Sequence, residues 1–484
     1  MKRFIALSMT ATLLVASCGG SGTPKSAPST GGTGGGGEST TTVDRSSLAK
    51  GCSVEAFEKA AKPVEVKYWH SQTQANLAAL ESLAAQFNSS QADVKVVLQN
   101  QGGTDEALTK YRSVAGTVDA PDLLQLGETS LQTMIDSQAI VPAQACVEAT
   151  SSNLDDLLPR VHDYYTVAGA TWAMPFNVSQ PVMLYNKTAF RNAGLDPEKP
   201  PVDFESLATT VQALKAQGGF EHGLQYKRDV WVLEQFLALA GEPYVDNDNG
   251  RGGRATKAVF DTPTATKVFT VLQNLVKSGD AITNPADGPE GFSNLFGICN
   301  GANALTFDSS GVLGTAYETL AKGDCKVKVE VGVAPLPLPS GPNKGGTLVG
   351  GGANFIARNK AADSPKVLAA FKFAQFLTTA KVQAEWAAKT GFIPISKAAA
   401  NESVITSVWA EKPGYKVAYD QLASGTNNVA TSGPLIGAYK DVRTAIKAAL
   451  ESLFLDNVDP AKAIAAAIKG ANKAISDYNA TNKP

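Results

Sequence analysis

The sequence predicts an α/β protein of two lobes. Its 484 residues are too many for one small core. Apolar residues make up 43% and charged residues 18%, the balance of a globular chain. From Val64 onward, segments of two-residue alternation trade places with segments of helical periodicity, the pattern of a largely parallel sheet.

The elements follow in order. Lys2 and Arg3 precede an apolar stretch to Ala16, then the small residues of VASCG. This reads as a secretory signal over residues 1–17, too short to remain as a membrane span. Cys18, directly after VAS, is the candidate lipidated first residue of the mature chain; the plainer alternative is an ordinary signal with an incidental cysteine. The segment GGSGTPKSAPSTGGTGGGGESTTT is too poor in apolar groups to pack, so residues 18–50 read as a flexible tether. Signal, anchor and tether place the protein outside the cytoplasm at a membrane surface. A formal net charge of −2, with acids and bases interspersed, argues against broad capture of nucleic acid or membrane.

In VEVKYW, Val64, Val66 and Tyr68 alternate with Glu65 and Lys67, which predicts a strand. NLAALESLAAQF puts Leu77, Leu80, Leu83 and Phe87 on one helical face. Val94 to Asn100 and Asp122 to Gly127 read as further strands, with a helical segment between. Ligands of such sheets sit beyond the carboxyl ends of strands, where Trp69, His70, Gly102, Thr104 and Glu128 lie. The second half repeats this grammar. Ser364-Pro365 and Asp459-Pro460 start helices, each with a cap before a proline in the first turn. VEVGVAPLPLPSG and TLVGGGANFIA read as strands around a Pro/Gly turn.

Four cysteines remain after Cys18. An even count in an exported chain suggests two disulfides, and of the three pairings the one nearest in sequence, Cys52–Cys146 with Cys299–Cys325, is favoured. With no CxxC and with His70, His162 and His222 scattered, no metal site is expected. The chain shows no GxSxG, HExxH or phosphate-loop motif, and a binding module is expected rather than an enzyme.

The stretches YWHSQT, MPFNVSQPVMLYNK and WAAKTGFIPISKAA, joined by DSSG, GGGAN and PLIGAYKDVR, carry a resemblance. From Val64 to the last helix the chain resembles the extracellular solute-binding proteins of ABC importers. Within them it looks like those for sn-glycerol 3-phosphate and glycerophosphodiesters such as glycerophosphocholine. The resemblance implies a periplasmic-binding-protein-like fold, two α/β lobes closing by a hinge over a cleft. One lobe would take residues 51–178 and 328–378, the other 179–327 and 379–484. Pro175 to Pro181 would cross between them with Ser179 toward the cleft. The implied protein is a monomer without cofactor that hands its ligand to membrane permease subunits, its only membrane attachment being the lipid at Cys18. A neutral oligosaccharide is the alternative cargo.

Carried over position by position, the resemblance implies ligand contacts at Glu128, Ser179, Ser309, Gly352 and Arg443. A carboxylate at Glu128 suits glycerol hydroxyls, and a guanidinium at Arg443 suits phosphate. Three places depart from the family pattern: Thr104 and Phe392 stand where tyrosines are usual, and YKRDVW keeps Trp231 but adds Lys227 and Arg228. Arg228 is the candidate to share the phosphate. Each position also has a structural reading: Arg443 as a surface helix charge, Glu128 as a loop acid or ion-pair partner, the serines as hinge caps, Gly350 to Gly352 as a turn, and Phe392 and Trp231 as core.

Overall fold

The computed structural model describes residues 51–286, 291–321, 324–339, 341–358 and 364–482. The signal, Cys18 and the tether lie outside those residues.

The first sheet begins with β1 (Val64–His70), β2 (Val94–Asn100) and β3 (Leu123–Gly127), all parallel, with β1 in the middle. The alternation seen in the sequence decides the inward face: Val64, Val66 and Tyr68 are buried while Glu65 is exposed. Leu80, Leu83 and Phe87 of the Gln74–Ser90 helix join that core, and Phe373 from the Pro365–Leu377 helix meets Tyr68 edge-on at 5.6 Å. Burying each such side chain contributes roughly 1.5–3 kcal/mol, which fixes these helices to the sheet. Then follow β4 (Ile140–Val141), the small hairpin of β5 (Thr166–Val167) and β6 (Ala170–Thr171), and β7 (Met174–Ser179).

The chain changes sheet within one residue. β8 (Pro181–Asn186) starts just after Gln180, and it belongs to the second sheet with β9 (His222–Arg228), β10 (Ala281–Pro285), β11 (Asn303–Ser309) and β12 (Val331–Ala334). The strand order there is β10-β9-β11-β8-β12, with β9, β10 and β11 parallel and β8 antiparallel to both its neighbours. Gln180 is fully buried: its backbone N–H donates to Ser310 Oγ and its Nε2 donates to Leu348 O at 2.7 Å.

The chain returns with β13 (Gly350–Ala357), which inserts antiparallel between β3 and β4 and also pairs with β7. The return comes later than residue 328, because β12 takes the free edge of β8 in the second sheet. The Ala380–Thr390 helix, expected with the second lobe, packs Val382 and Trp386 into the first sheet's core, Trp386 4.7 Å from Phe176. Both sheets are therefore mixed, a parallel part extended by antiparallel returns.

The helix starts read from the sequence stand where capping chemistry puts them. Ser364 Oγ accepts from Lys366 N, and Asp459 accepts from Ala461 N and Lys462 N ahead of the Pro460–Thr481 helix. That last helix and the Tyr439–Leu455 and Pro263–Lys277 helices share the second sheet's core through Phe269, Leu453 and Ile464. Disulfides join Cys52 to Cys146 and Cys299 to Cys325. The first ties the chain just past residue 50 to the Ala143–Ala149 helix, which follows β4.

Among the described residues three ion pairs cross between the halves, and each takes its acid from the first and its base from the second. Asp105 lies 3.7 Å from Lys440, Glu128 3.2 Å from Arg443, and Asp136 3.0 Å from Arg254. Tyr478 also donates to Asp136, at 2.9 Å.

Candidate ligand-binding site

The site starts from a carboxylate that the fold buries. β3 is buried along its whole length and ends in a short 3-10 turn that opens with Glu128, only 9% exposed. A buried carboxylate requires a charged or hydrogen-bonding partner. Glu128 finds Arg443, whose Nη2 donates to its Oε1 at 3.2 Å. Arg443 comes from the Tyr439–Leu455 helix, held in place by Val442, Ile446 and Leu450 in the second core.

Arg443 has a second and stronger partner. Glu234, 2% exposed, receives Nε at 3.0 Å on one oxygen and Nη2 at 2.6 Å on the other. That two-pronged geometry fixes the plane of the guanidinium. The Tyr439 ring adds a cation–π contact, 4.9 Å from the guanidinium carbon. Burial pushes the Glu128 carboxyl above its ordinary range, and Arg443 only partly opposes this. For Arg443 burial acts downward, but the carboxylates of Glu234 and Glu128 outweigh it, and the guanidinium stays firmly charged. Nη1 takes part in none of these bonds, and 27% of the side chain is exposed.

Other expected residues gather around this cluster. Trp231 sits one turn before Glu234 on the Val230–Leu239 helix, started by Asp229, which accepts from Trp231 N. Its ring lies against Gly350, where a Cβ would come within 2.4 Å, and its Nε1 is buried without a partner among the described residues. Gly350 stands opposite Ser179, which is 3% exposed. Gly352 stands opposite Gly127 on one side and Asn177 on the other; a Cβ there would meet Leu126 O at 2.7 Å, so the backbones approach closely. The Thr104 hydroxyl lies beside Gly127. Asn177, in the polar prelude to β8, accepts from Gln125 Nε2 at 2.8 Å and so braces the strand ends.

Ser309 and Phe392 form a second group beside the crossing. Ser309 ends β11 opposite Pro181, and its Oγ accepts from Gly311 N at 3.1 Å. The Phe392 ring stacks on Trp386, 5.5 Å between centroids, and its edge faces Gly311. Arg228 stands apart. It ends β9 opposite Pro285 and donates to Thr283 Oγ1 at 2.7 Å, and among the described residues no hydrogen bond or ion pair joins it to Arg443 or its carboxylates. Lys227 pairs with Asp308 at 3.2 Å.

Glu234 was not among the expected residues. Its one signal in the sequence is a lone acid inside the apolar run VWVLEQFLAL; its partner lies 209 positions away.

A profile of the bacterial extracellular solute-binding protein family matches residues 82–417. The chain belongs to that family. It is 30% identical over 427 residues to the sn-glycerol-3-phosphate-binding periplasmic protein UgpB of Pectobacterium atrosepticum, covering 87% of this chain and 93% of the relative. Against the protein of the same name from Escherichia coli it is 30% identical over 448 residues, covering 90% and 98%. Among solved structures it is similar to UgpB from Mycobacterium tuberculosis in complex with glycerophosphocholine. The TM-score is 0.71 at 21% identity, covering 86% of this chain and 99% of that one. It is also similar to the GacH receptor of Streptomyces glaucescens, solved unliganded and with acarbose, with a TM-score of 0.70 at 20% identity, covering 85% and 98%. This solute-binding protein thus has the two-lobe α/β fold of the periplasmic binding proteins. It serves an ABC importer outside the cytoplasm, taking a small-molecule ligand to a permease. Among the described residues no helix is long and apolar enough to cross a membrane.

Proposed function

We propose that the ligand is a glycerol phosphate, either sn-glycerol 3-phosphate or a glycerophosphodiester such as glycerophosphocholine. The observation that carries this is the state of Arg443: two carboxylates orient its guanidinium while Nη1 has no protein partner among the described residues. An oriented, permanently charged donor suits a phosphate oxygen. Near it stands the buried Trp231 Nε1, also without a partner among the described residues, and the Trp231 ring lies against Gly350, opposite Ser179. Buried polar groups of this kind call for an acceptor or donor from elsewhere. Glu128 accepts glycerol hydroxyls through Oε2, which Arg443 does not engage; Ser309, Thr104 and Gly352 flank the ligand, and Phe392 closes the side near the crossing. Ligand contacts to both lobes favour the closed form. The lobes meet at Gln180 and again ahead of Gly350, Cys18 carries the lipid, and the tether keeps the monomer near its permease.

A neutral oligosaccharide is the second reading, favoured by two features: two carboxylates already outweigh the charge of Arg443, and Arg228 is not joined to it.

A thermal-shift panel on the domain from Ser46 onward separates the two, with glycerol 3-phosphate, glycerophosphocholine, maltose and trehalose. A ligand at about 100 times its Kd adds about 2.7 kcal/mol. The proposal expects a shift with at least one of the two phosphates and with neither sugar, abolished by Arg443→Ala. A shift with sugars alone would overturn it.

A further inference from the structure

We infer that Glu234 sets the charge of the ligand, excluding dianionic phosphate monoesters in favour of phosphodiesters. This rests on the reading of Arg443 as the phosphate contact. Two carboxylates, Glu128 and Glu234, share one guanidinium, so the cluster carries a formal charge of −2 + 1 = −1. The two acids are 11% and 1% exposed at their side chains, where water screens little. Arg443 and Glu234 are the charged side chains that act most strongly on Glu128; Arg251 lies one ring further out, over Tyr164, whose hydroxyl donates to Glu128 O. Nearby Lys227 is countered by Asp308, and Arg228 is tied to Thr283 outside the cluster.

A phosphate monoester carries about two negative charges at neutral pH, since its second pKa is near 6. It would bring them against a cluster already one charge in excess. A phosphodiester brings one negative charge, and one with a cationic head group brings no net charge. Glu128 alone balances Arg443. Glu234 supplies the excess, so Glu234 is the residue that discriminates. Glu234 also holds the guanidinium plane through Nε and Nη2, leaving Nη1 as the edge offered to the ligand. It is a positioning residue whose charge is felt at the phosphate without touching it.

The test is calorimetry on the wild type, Glu234→Gln and Glu234→Asp with glycerol 3-phosphate, glycerophosphocholine and glycerophosphomethanol, a monoanion without a cationic head. In the wild type both diesters bind at least about tenfold more tightly than the monoester, which needs no variant to fold. Glu234→Gln keeps size and an acceptor for Nε but removes the charge; it narrows the ratio about tenfold or more, chiefly by improving the monoester. Glu234→Asp keeps the charge and preserves the preference. Equal wild-type affinity for monoester and glycerophosphomethanol overturns the inference. So does a Glu234→Gln variant that loses affinity for all three ligands equally, which would mark Glu234 as structural. If the wild type binds sugars and none of the three phosphates, the underlying reading of the ligand fails instead, and the inference with it.

Discussion

Glu128 is the residue where burial and charge meet most directly. Its carboxyl is pushed up mainly by burial. A carboxyl raised in the folded state takes up its proton at higher pH there than in the unfolded chain. It therefore contributes stability that is fully present below the unfolded value, about 4.3, and lost as pH rises through the folded one. Glu128→Gln removes that contribution. The difference between wild-type and variant Tm is expected to grow as pH falls through the raised value and to level off near about pH 4; a difference that stays flat with pH would show that Glu128 titrates normally. Glu128 was legible in the sequence because it follows a strand, and strand ends face ligands. Its pairing was not, since Arg443 lies 315 positions on and only the packing of two halves brings them together. Glu234 was hidden for the same reason, with the added cover of an apolar helix around it. Arg228 shows the converse: its residue type suggested phosphate, and the hydrogen bond to Thr283 holds it elsewhere.

Among the elements, β13 has the most constrained backbone at the site. Gly351 has φ +94°, in the left-handed region, and a Cβ there would come within 2.0 Å of Asn177 O. The obstacle is the main chain of β7, which cannot swing aside as a side chain can. Gly351→Ala is expected to destabilise by roughly 2 kcal/mol or more, read as a lower midpoint in urea unfolding; an unchanged midpoint would mean that β7 and β13 separate readily. The start of β1 was readable from alternation, Val64 and Val66 being buried on either side of the exposed Glu65, whereas β3 is buried throughout and shows only a short apolar run. The glycine run was recognisable as a special backbone, but its cause was not. The Trp231 ring and the β7 main chain that crowd it come from segments distant in sequence. Likewise nothing local announces that β12 serves the second sheet, since an edge strand pairs wherever an edge is free.

At the scale of the whole molecule, the three ion pairs across the halves are all oriented alike, acids on the first and bases on the second. Asp136 and Arg254 are 10% and 23% exposed at their side chains, and neither is among the residues proposed to touch ligand. Each such pair contributes on the order of 1 kcal/mol, enough to bias an equilibrium between open and closed forms. Asp136→Asn is expected to raise the radius of gyration of the ligand-free protein in small-angle scattering. Salt at about 1 M, where the screening length is about 3 Å, should do the same. No change under either condition would mean that the pairs follow closure without supporting it. Two lobes were expected from chain length and resemblance; where the chain crosses was foreseen at Pro175 to Pro181, while its later return at Gly350 depends on which strand edges are left open.

The Cys52–Cys146 bond gives these halves unequal mechanical standing. It welds the segment at residue 52 to the helix that follows β4, on the first sheet's side. Any pull arriving from ahead of Gly51 enters the molecule there and is spread through the first core, bypassing the crossing at Gln180. Were the proposed lipid at Cys18 to hold the chain, the first half would be the stator and the second the rotor, Glu128 staying still while Arg443 swings toward it.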